Sequence, residues 1–207
     1  TLPILGNLLL RAEAGYLTVL GTDLEVEIRS RTEAEVVESG EVTVPARKLG
    51  DICRTLAEGA EIRLKVSGER CVLTAGRGRY TLGTLPAQDF PTLESQVAGV
   101  TLKVDEVALK AVLEKTAFAM AQQDVRYYLN GLFFQVVAEG IKAVATDGHR
   151  LASYWHPCEH GAVEARSVII PFKTVTELRR QFGNTPGTVG IEIGDQSIRF
   201  FGRDTVT

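Results

Sequence analysis

The sequence predicts an α+β fold in which antiparallel sheets pack helices on one face, built as two similar units in tandem. Three observations lead to this prediction. Thr22-Asp23 recurs as Thr146-Asp147 at an offset of 124 residues, and Pro45 recurs as Pro171 at an offset of 126. Short apolar runs are separated by turn residues, which is typical of hairpins. In each unit a proline precedes a helical apolar pattern.

The first unit opens with two apolar runs, residues 4–10 and 16–20, which flank Glu13-Ala14-Gly15 and predict a hairpin. Residues 23–28 alternate strictly between polar and apolar side chains, a pattern that predicts a half-buried strand. Residues 33–40 are polar and predict a loop. A short strand is expected at residues 42–44, just before the first proline.

A helix is predicted from Pro45 to Gly59, because Leu49, Ile52, Cys53 and Leu56 share one helical face. The rest of the unit is predicted to be a hairpin of residues 61–66 and 71–75, followed by a strand at 80–82. Residues 86–99, with Pro86 and Pro91, are expected to connect the two units.

The second unit begins with a strand at residues 101–104 and a helix that Asp105 is expected to cap. The apolar stripe of this helix is Leu109, Val112, Leu113, Thr116 and Met120. Hairpins are predicted at residues 128–137 with 141–145 and at residues 188–193 with 197–201. Between them, Pro171 begins a helix with the stripe Val175, Leu178 and Phe182.

The repeat also predicts domain limits, with the first unit at residues 1–98 and the second at 99–207. No part of the first unit matches residues 101–124, which hold a strand and a strong helix. The second unit lacks a counterpart of residues 82–99. We therefore expect that the chain begins inside one unit and ends inside another.

Composition places few limits on function. The chain is 44% hydrophobic and 24% charged, and no apolar run approaches the roughly 18 residues of a membrane span. Three cysteines without C-x-x-C spacing fit a reducing cytoplasm, and no cofactor motif is present. The net charge of −3 argues weakly against a conventional nucleic-acid binder, although one surface can be basic on an acidic protein.

Two clusters could carry chemistry. Asp147 and His149 are close in sequence, but no nucleophile is specified for the histidine, and Asp147-Gly148 is a strong turn signal. His156, Cys158 and His160 have alternating spacing that could gather metal ligands. Pro157 and the polar surroundings instead favour a surface loop, so no metal site is predicted.

Basic residues recur on the helix faces opposite the apolar stripes. They are Arg47, Lys48 and Arg54 in the first unit, and Lys173, Arg179 and Arg180 in the second. Recurrence at the equivalent helix favours a shared functional surface over an ordinary solvated face. Residues 122–128 add polar, basic and aromatic groups that can contact phosphates and unstacked bases.

Five segments together resemble a known family: residues 1–7, 21–25, 44–48, 124–131 and 145–152. They are similar to the bacterial DNA polymerase III beta subunit, the replication sliding clamp, and the resemblance covers nearly all of the chain. It implies the DNA clamp fold, with tandem clamp domains, sheets outside and helices on the inner face. It also implies that a third domain, and the opening strand and helix of the first, are absent.

By the same resemblance the protein is expected to have no catalytic activity of its own, to encircle duplex DNA as a head-to-tail homodimer, and to tether the polymerase. The residues that match DNA contacts are Arg47, Gln123, Arg126, Tyr127, Tyr128 and Lys173. Those that match the partner-peptide pocket are Leu129, Thr146, Gly148, His149, Arg150 and Leu151. Those that match the ring interface are Lys48, Arg70, Arg77, Arg79, Tyr80 and Leu82. Phe172 departs from the family, where a basic residue often precedes the lysine.

The implied partners are duplex DNA without sequence preference, the polymerase III catalytic subunit, the clamp loader and other proteins with a clamp-binding motif. No membrane partner is implied. Two alternatives remain open from the residues alone: a small hydrolase that uses His149 and Asp147, and a binding module that forms no ring. A serine or cysteine placed beside His149 would favour the hydrolase.

Overall fold

The computed structural model describes residues 2–93, 99–159, 165–183, 186–195, 197–202 and 205–206. The chain divides into two compact units, Thr1–Leu93 and Glu94–Thr207. The sequence placed the division between residues 98 and 99, a little later in the same connection. The described part of the first unit combines antiparallel sheets with one α-helix and that of the second with two, which confirms the predicted fold class. Among the described residues, no helix has the length and apolar character needed to cross a membrane.

The first unit contains seven strands and one α-helix in its described part. The strands are β1 (Asn7–Glu13), β2 (Tyr16–Thr22), β3 (Glu27–Glu33), β4 (Gly40–Pro45), β5 (Arg63–Ser67), β6 (Arg70–Ala75) and β7 (Gly78–Gly83). The helix is α1 (Ala46–Thr55), with Pro45 as its N-cap. Strands β4, β1, β2 and β3 pair in that order, and β5, β6 and β7 form a separate antiparallel sheet.

The core of the first unit lies where the sheets meet α1. Leu10, Val44, Cys71 and Leu82 are buried together, and Leu49 and Ile52 of α1 pack against them. A smaller cluster joins Ile4, Leu9, Leu20 and Phe90. Phe90 belongs to the predicted connection, so part of that segment is packed into the first unit instead of linking the units freely.

The second unit has two α-helices and eight strands in its described part. The strands are β8 (Val100–Asp105), β9 (Gly131–Val137), β10 (Gly140–Thr146), β11 (Leu151–Pro157), β12 (Arg166–Pro171), β13 (Thr188–Ile193), β14 (Ile198–Gly202) and β15 (Thr205–Val206). The helices are α2 (Glu106–Ala117) and α3 (Phe172–Gln181). One sheet has the order β11, β10, β9, β12, and strands β15, β14, β13 and β8 pair in a second sheet.

Both sheets of the second unit contribute side chains to one large core around α2. Leu109, Val112 and Leu113 of α2 are fully buried with Phe134 of β9 and Phe200 of β14. Helix α3 adds Val175 and Leu178 to the same core. This continuous core fixes the position of the β10–β11 turn and of the segment after α2, where most of the predicted site residues lie.

The predicted strand at residues 23–28 is wrong. Asp23 Oδ1 accepts the backbone N–H groups of Glu25 and Val26 at 3.1 and 2.9 Å, so these residues form a turn and β3 begins only at Glu27. Such local capping by aspartate competes with strand pairing. Similarly, residues 3–6 form a 3-10 helix that begins with Pro3 instead of extending the first strand.

Other elements differ from the sequence interpretation in smaller ways. Asp105 is the N-cap residue of α2, but its side chain makes no capping hydrogen bond. Strands β11 and β12 were not predicted. His156 and Pro157 lie in β11 instead of a surface loop, and proline is tolerated there because β11 is an edge strand of its sheet.

Candidate functional site

Arg47 and Lys173 occupy the same position on α1 and α3. Each is the second residue of its helix and each is exposed. Neither helix has an acidic residue in its first turn. Because the positive end of the helix dipole lies there, a cation at this position is unfavourable by about 0.3–1 kcal/mol. Its occurrence at both helices therefore indicates a function other than helix stability.

Farther along the same helices, the basic residues are partly neutralised. Arg54 forms an ion pair with Asp51, and Arg180 pairs at the equivalent position with Glu177, Nε to Oε2 at 3.0 Å. The Arg180 hydrogen bond lowers the pKa of Glu177. Arg54 and Arg180 are therefore each matched by a carboxylate one turn earlier on the same helix.

The segment after α2 is fixed by a hydrogen-bonded loop. Asn130 accepts the N–H of Asp124 at 2.9 Å and donates to its carbonyl oxygen at 2.8 Å. The Asp124 carboxylate receives two hydrogen bonds from the Arg126 guanidinium, Nε at 3.0 Å and a terminal nitrogen at 2.8 Å. Arg126 therefore lowers the pKa of Asp124 to about 2. Gln123 adopts a left-handed conformation with φ 59° and is exposed.

Tyr127 and Tyr128 follow directly, in a 3-10 helix that spans Tyr127–Asn130. The rings meet edge to face with their centroids 6.0 Å apart. Tyr127 is 83% exposed and Tyr128 50%. Aromatic side chains are usually more buried, so this pair offers unusual stacking surface to a ligand.

The β10–β11 turn is held by Thr146 and Asp147. Thr146 Oγ1 donates to the Arg150 carbonyl at 2.7 Å and accepts the Gly148 N–H at 3.1 Å. Asp147 Oδ1 accepts the N–H groups of Arg150 and His149 at 2.9 and 3.0 Å, and Oδ2 accepts Arg150 Nε at 3.0 Å. These backbone hydrogen bonds, that of Arg150 first, lower the pKa of Asp147. The predicted turn is confirmed.

The first unit contains the same turn between β2 and β3. Thr22 Oγ1 donates to the Val26 carbonyl and accepts the Leu24 N–H, at 2.9 and 3.1 Å. Leu24 stands where the second unit has Gly148, and both have positive φ, 77° and 88°. The internal repeat therefore extends to individual hydrogen bonds, but the first copy lacks the histidine and arginine of the second.

A shallow cleft of about 430 Å³ joins the loop after α2 to the β10–β11 turn. It is lined by Met120, Ala121, Gln122, Gln123, Asp124, Arg126, Asp147, His149 and Arg150. The Arg126 guanidinium lies against Gly148, 3.3 Å from the place a Cβ would take. Two residues predicted to contact DNA, Gln123 and Arg126, thus share a cleft with two predicted to bind a partner peptide, His149 and Arg150.

Apolar side chains extend this surface. Leu151, the first residue of β11, is 66% exposed, and Leu129 is half-buried. Phe118, just after α2, is 59% exposed, with Arg150 Cζ 5.7 Å from its ring centroid. Phe118 was not singled out from the sequence. The sequence signal that could have identified Phe118 is its position directly after the helix, outside the apolar stripe.

The features expected of a hydrolase are not assembled. Both carboxylate oxygens of Asp147 bond the turn and Arg150 instead of orienting the His149 imidazole. Within the described ranges, no serine or cysteine side chain hydrogen-bonds His149. No group of three His, Cys, Asp or Glu side chains in those ranges could hold a metal ion. His160 lies outside the described residues.

The residues matched to a ring interface lie on or near the β5-β6-β7 sheet and α1. Lys48, Arg70, Arg77 and Arg79 are exposed, and Tyr80 is half-buried on β7, an edge strand of this sheet. Leu82 is different, because only 2% of it is exposed and it packs in the core with Leu10 and Val44. In this chain Leu82 supports β7 from within.

Comparison with known proteins adds independent information. Residues 1–94 match the family model described as the N-terminal domain of the DNA polymerase III beta subunit, and residues 103–207 match its central domain. The chain is 46% identical to the beta sliding clamp of Salmonella typhimurium over 200 residues, 96% of this chain and 54% of that protein. It is also 46% identical to the Pseudomonas putida clamp over 202 residues.

Solved structures of DNA polymerase III beta subunits have the same fold as this chain. The DNA polymerase III subunit beta from Pseudomonas aeruginosa superposes with a TM-score of 0.94 at 43% identity, covering 99% of this chain and 57% of that one. Caulobacter crescentus pol III beta gives a TM-score of 0.93 at 41% identity, covering 100% and 57%. The chain thus spans about half the length of the relatives it matches.

Proposed function

The chain belongs to the DNA polymerase III beta subunit family, and we propose that it forms part of a sliding clamp that encircles duplex DNA in the bacterial cytoplasm. The clamp tethers the replicative polymerase and confers processivity without catalytic residues of its own. Residues 1–98 and 99–207 are its first and second clamp domains. Two full-length chains close the ring through Lys48, Arg70, Arg77, Arg79 and Tyr80, with Leu82 supporting that edge from the core.

One observation carries the DNA-binding part of the proposal: Arg47 and Lys173 repeat a cation at the second position of equivalent helices, where it opposes the helix dipole. A helix N-terminus with an added cation suits a phosphate group, because backbone N–H groups and the side chain attract the same anion. Phosphates are the same in every sequence, so the contact is independent of sequence.

The cleft of the second unit supplies the remaining contacts. Gln123 and Arg126 reach phosphates, and the exposed rings of Tyr127 and Tyr128 stack on sugars or unpaired bases. The other wall of the cleft binds a short peptide of a partner. Leu129 and Leu151, beside the cleft, accept apolar side chains, while Thr146, Gly148, His149 and Arg150 shape the polar rim. Of these, His149 and Arg150 line the cleft itself. The partners are the polymerase III catalytic subunit, the clamp loader and other proteins with a clamp-binding motif.

The DNA proposal is tested with Arg47→Ala and Lys173→Ala in a full-length protein that carries these residues. Each variant removes one phosphate contact, so the dependence of log K on log salt becomes shallower by roughly 0.9 per contact. Binding weakens equally on unrelated duplexes. For Arg47→Ala the free energy of unfolding stays constant or rises by about 0.3–1 kcal/mol, because an unfavourable charge–dipole interaction is removed.

Arg54→Ala and Arg180→Ala are the matched controls, since they remove a positive charge from the same helices but leave Asp51 or Glu177 unpaired. If the proposal is correct, the controls leave the salt slope close to its original value. If all four variants change the slope by the same amount, the contact is a diffuse effect of net charge and the assignment of Arg47 and Lys173 is wrong.

A further inference from the structure

Asn130 closes the loop that carries the proposed DNA contacts of the second unit. Its side-chain oxygen accepts the Asp124 N–H at 2.9 Å, and its side-chain nitrogen donates to the Asp124 carbonyl oxygen at 2.8 Å. One side-chain amide therefore pairs with both backbone groups of a residue six positions earlier. An adjacent antiparallel strand satisfies a residue in the same way.

Backbone hydrogen bonds close the same loop at its base. The Ala121 N–H donates to the Leu129 carbonyl oxygen at 2.9 Å, and the Leu129 N–H donates to the Arg126 carbonyl oxygen at 2.9 Å. Residues 122–128 are thus enclosed between paired residues. This segment contains the four second-unit residues before β9 that are proposed to contact DNA: Gln123, Arg126, Tyr127 and Tyr128.

The backbone at Gln123 requires support from its surroundings. Its φ of 59° lies in the left-handed region, which is unfavourable for a residue other than glycine and persists only where neighbouring groups enforce it. The peptide that follows Gln123 supplies the Asp124 N–H, and Asn130 accepts that N–H. The Asn130 side chain therefore fixes the peptide directly after the strained residue. Strained backbone of this kind is concentrated at functional sites.

Asn130 also acts on Arg126 through Asp124. The Asp124 carboxylate accepts the Arg126 backbone N–H at 2.8 Å and its Nε–H at 3.0 Å. A chain of hydrogen bonds thus runs from the Asn130 amide through Asp124 to the guanidinium. Asn130 and Asp124 are half-buried, whereas Arg126 and the two tyrosines after it are exposed. Asn130 is therefore placed to support the exposed residues from behind.

The first unit forms the same junction without this amide. A four-residue 3-10 helix, Pro3–Gly6, precedes β1 there, as Tyr127–Asn130 precedes β9 in the second unit. The Leu5 N–H donates to the Leu2 carbonyl oxygen at 3.1 Å, which repeats the bond of Leu129. Gly6 stands where the second unit has Asn130 and has no side chain to donate or accept. The helix and strand therefore form without the amide, so building the junction does not explain Asn130.

The first unit has an asparagine one residue later, with a different contact. Asn7, the first residue of β1, donates from its side chain to Thr43 Oγ1 on β4 at 2.9 Å. Its counterpart Gly131 has no room for a side chain, because an added Cβ would lie 2.6 Å from Ile169 Cγ2 and 2.8 Å from the Ile170 carbonyl oxygen. The side-chain amide at this junction thus joins two strands in the first unit and closes the loop in the second.

We propose that Asn130 is a positioning residue for DNA binding, which holds residues 122–128 in the conformation that presents Arg126 and the two tyrosines. This inference rests on the proposed function, because it takes these side chains as DNA contacts. A loop ordered in advance loses less conformational entropy on binding. Asn130→Ala in a full-length protein should therefore weaken duplex binding about three- to tenfold, the cost of ordering one or two side chains. Asn130→Gly, which copies the first unit, should act in the same way.

Asn7→Ala is the matched control, since it removes an amide and its buried hydrogen bond from the equivalent junction of the first unit. It should lower the melting temperature at least as much as Asn130→Ala and leave the DNA affinity unchanged. A purely structural role for Asn130 predicts instead that both variants lower the melting temperature and that neither changes the affinity of the folded protein.

Two further measurements separate positioning from a direct contact. In the 207-residue protein, Asn130→Ala should accelerate amide hydrogen exchange at Asp124, with no DNA present. In a full-length protein that already carries Arg126→Ala and Tyr127→Ala, adding Asn130→Ala should change DNA affinity little, because residues that act through one another have non-additive effects. An undiminished further loss of affinity would mean that Asn130 acts on DNA by another route, and the proposal would be wrong.

Failure of this inference and failure of the proposed function give different results. If Arg126→Ala with Tyr127→Ala weakens DNA binding while Asn130→Ala binds like the unsubstituted protein, the DNA contacts stand and Asn130 does not position them. If Arg126→Ala with Tyr127→Ala leaves the DNA affinity unchanged, the proposed contacts of this loop are wrong, and the role of Asn130 is wrong with them.

Discussion

Asp124 and Asp147 position the arginines of the cleft by the same combination of hydrogen bonds. Each carboxylate accepts a backbone N–H and a guanidinium N–H from the arginine that follows it. Arg126 and Arg150 are thus held in defined conformations before a ligand arrives. Pre-ordered side chains lose less conformational entropy on binding, which raises affinity.

The pKa of Asp124 provides a direct test of this arrangement. It lies near 2 in the folded protein, below the ordinary value of about 3.9. The pair with Arg126 therefore contributes its full stability above about pH 4 and loses it as the pH falls through about 2. Carboxyl NMR at pH 3 should find Asp124 mostly ionised.

Arg126→Gln is the control for that titration. Without the guanidinium, the Asp124 midpoint should move up toward its ordinary value. A midpoint near pH 4 in the unsubstituted protein would contradict the ion pair and, with it, the fixed orientation of Arg126.

Leu151 tests the proposed peptide wall. Because it is 66% exposed, Leu151→Ser should leave the melting temperature almost unchanged. In a full-length clamp, however, it should weaken binding of a clamp-binding-motif peptide by about 2 kcal/mol, the effect of losing a buried anchor contact. Isothermal titration measures this, with Ser153→Ala on the same strand as control. If both variants bind the peptide with equal affinity, Leu151 is not part of the peptide-binding pocket.

At the scale of elements, Glu106 links the start of α2 to the segment between α3 and β13. Glu106 is buried, with 5% of its surface exposed. Its carboxylate accepts a hydrogen bond from the Gly183 N–H at 3.1 Å. Its backbone N–H donates to the Gly187 carbonyl oxygen at 3.0 Å. Glu106→Ala leaves the partly buried Gly183 N–H without its acceptor and should lower the free energy of unfolding by about 1 kcal/mol.

Chemical denaturation measures that change, and amide exchange at Gly183 should accelerate. Glu114→Ala, on the exposed side of the same helix, should change stability little. If the two variants are equally stable, Glu106 has no structural role of the kind described.

Elements with a strong local pattern were predictable from the sequence, and those fixed by side-chain capping or tertiary pairing were not. The apolar stripes predicted the three helices α1, α2 and α3. The turn residues predicted most of the strands as hairpins. Residues 23–26 alternate like a strand, yet Asp23 binds their backbone into a turn. β11 and β12 are defined mainly by their pairing with β10 and β9, which local sequence does not reveal.

The candidate site was partly predictable for the same reason. Thr146-Asp147-Gly148 is a local turn signal, and the structure has that turn. The proximity of Arg126 to Gly148, and of Phe118 to Arg150, depends on how the loop after α2 packs against the β10–β11 turn. Likewise, the burial of Leu82 follows from sheet orientation, so a surface role for its side chain could not be judged from the sequence.

At the scale of the whole molecule, the proposed function implies that a full-length clamp is retained on DNA by encirclement more than by affinity. The net charge of −3 opposes tight binding to the outside of DNA. Cations such as Arg47 and Lys173 act locally and only over short distances at physiological salt. A ring can therefore slide without releasing the duplex.

The most direct measurement compares dissociation of a loaded full-length ring from circular duplex and from the same duplex after linearisation. Encirclement predicts long retention on the circle at both low and high salt, and rapid loss from the free ends of the linear form. Equal dissociation rates from the two DNAs at both salt concentrations would contradict the sliding-clamp account.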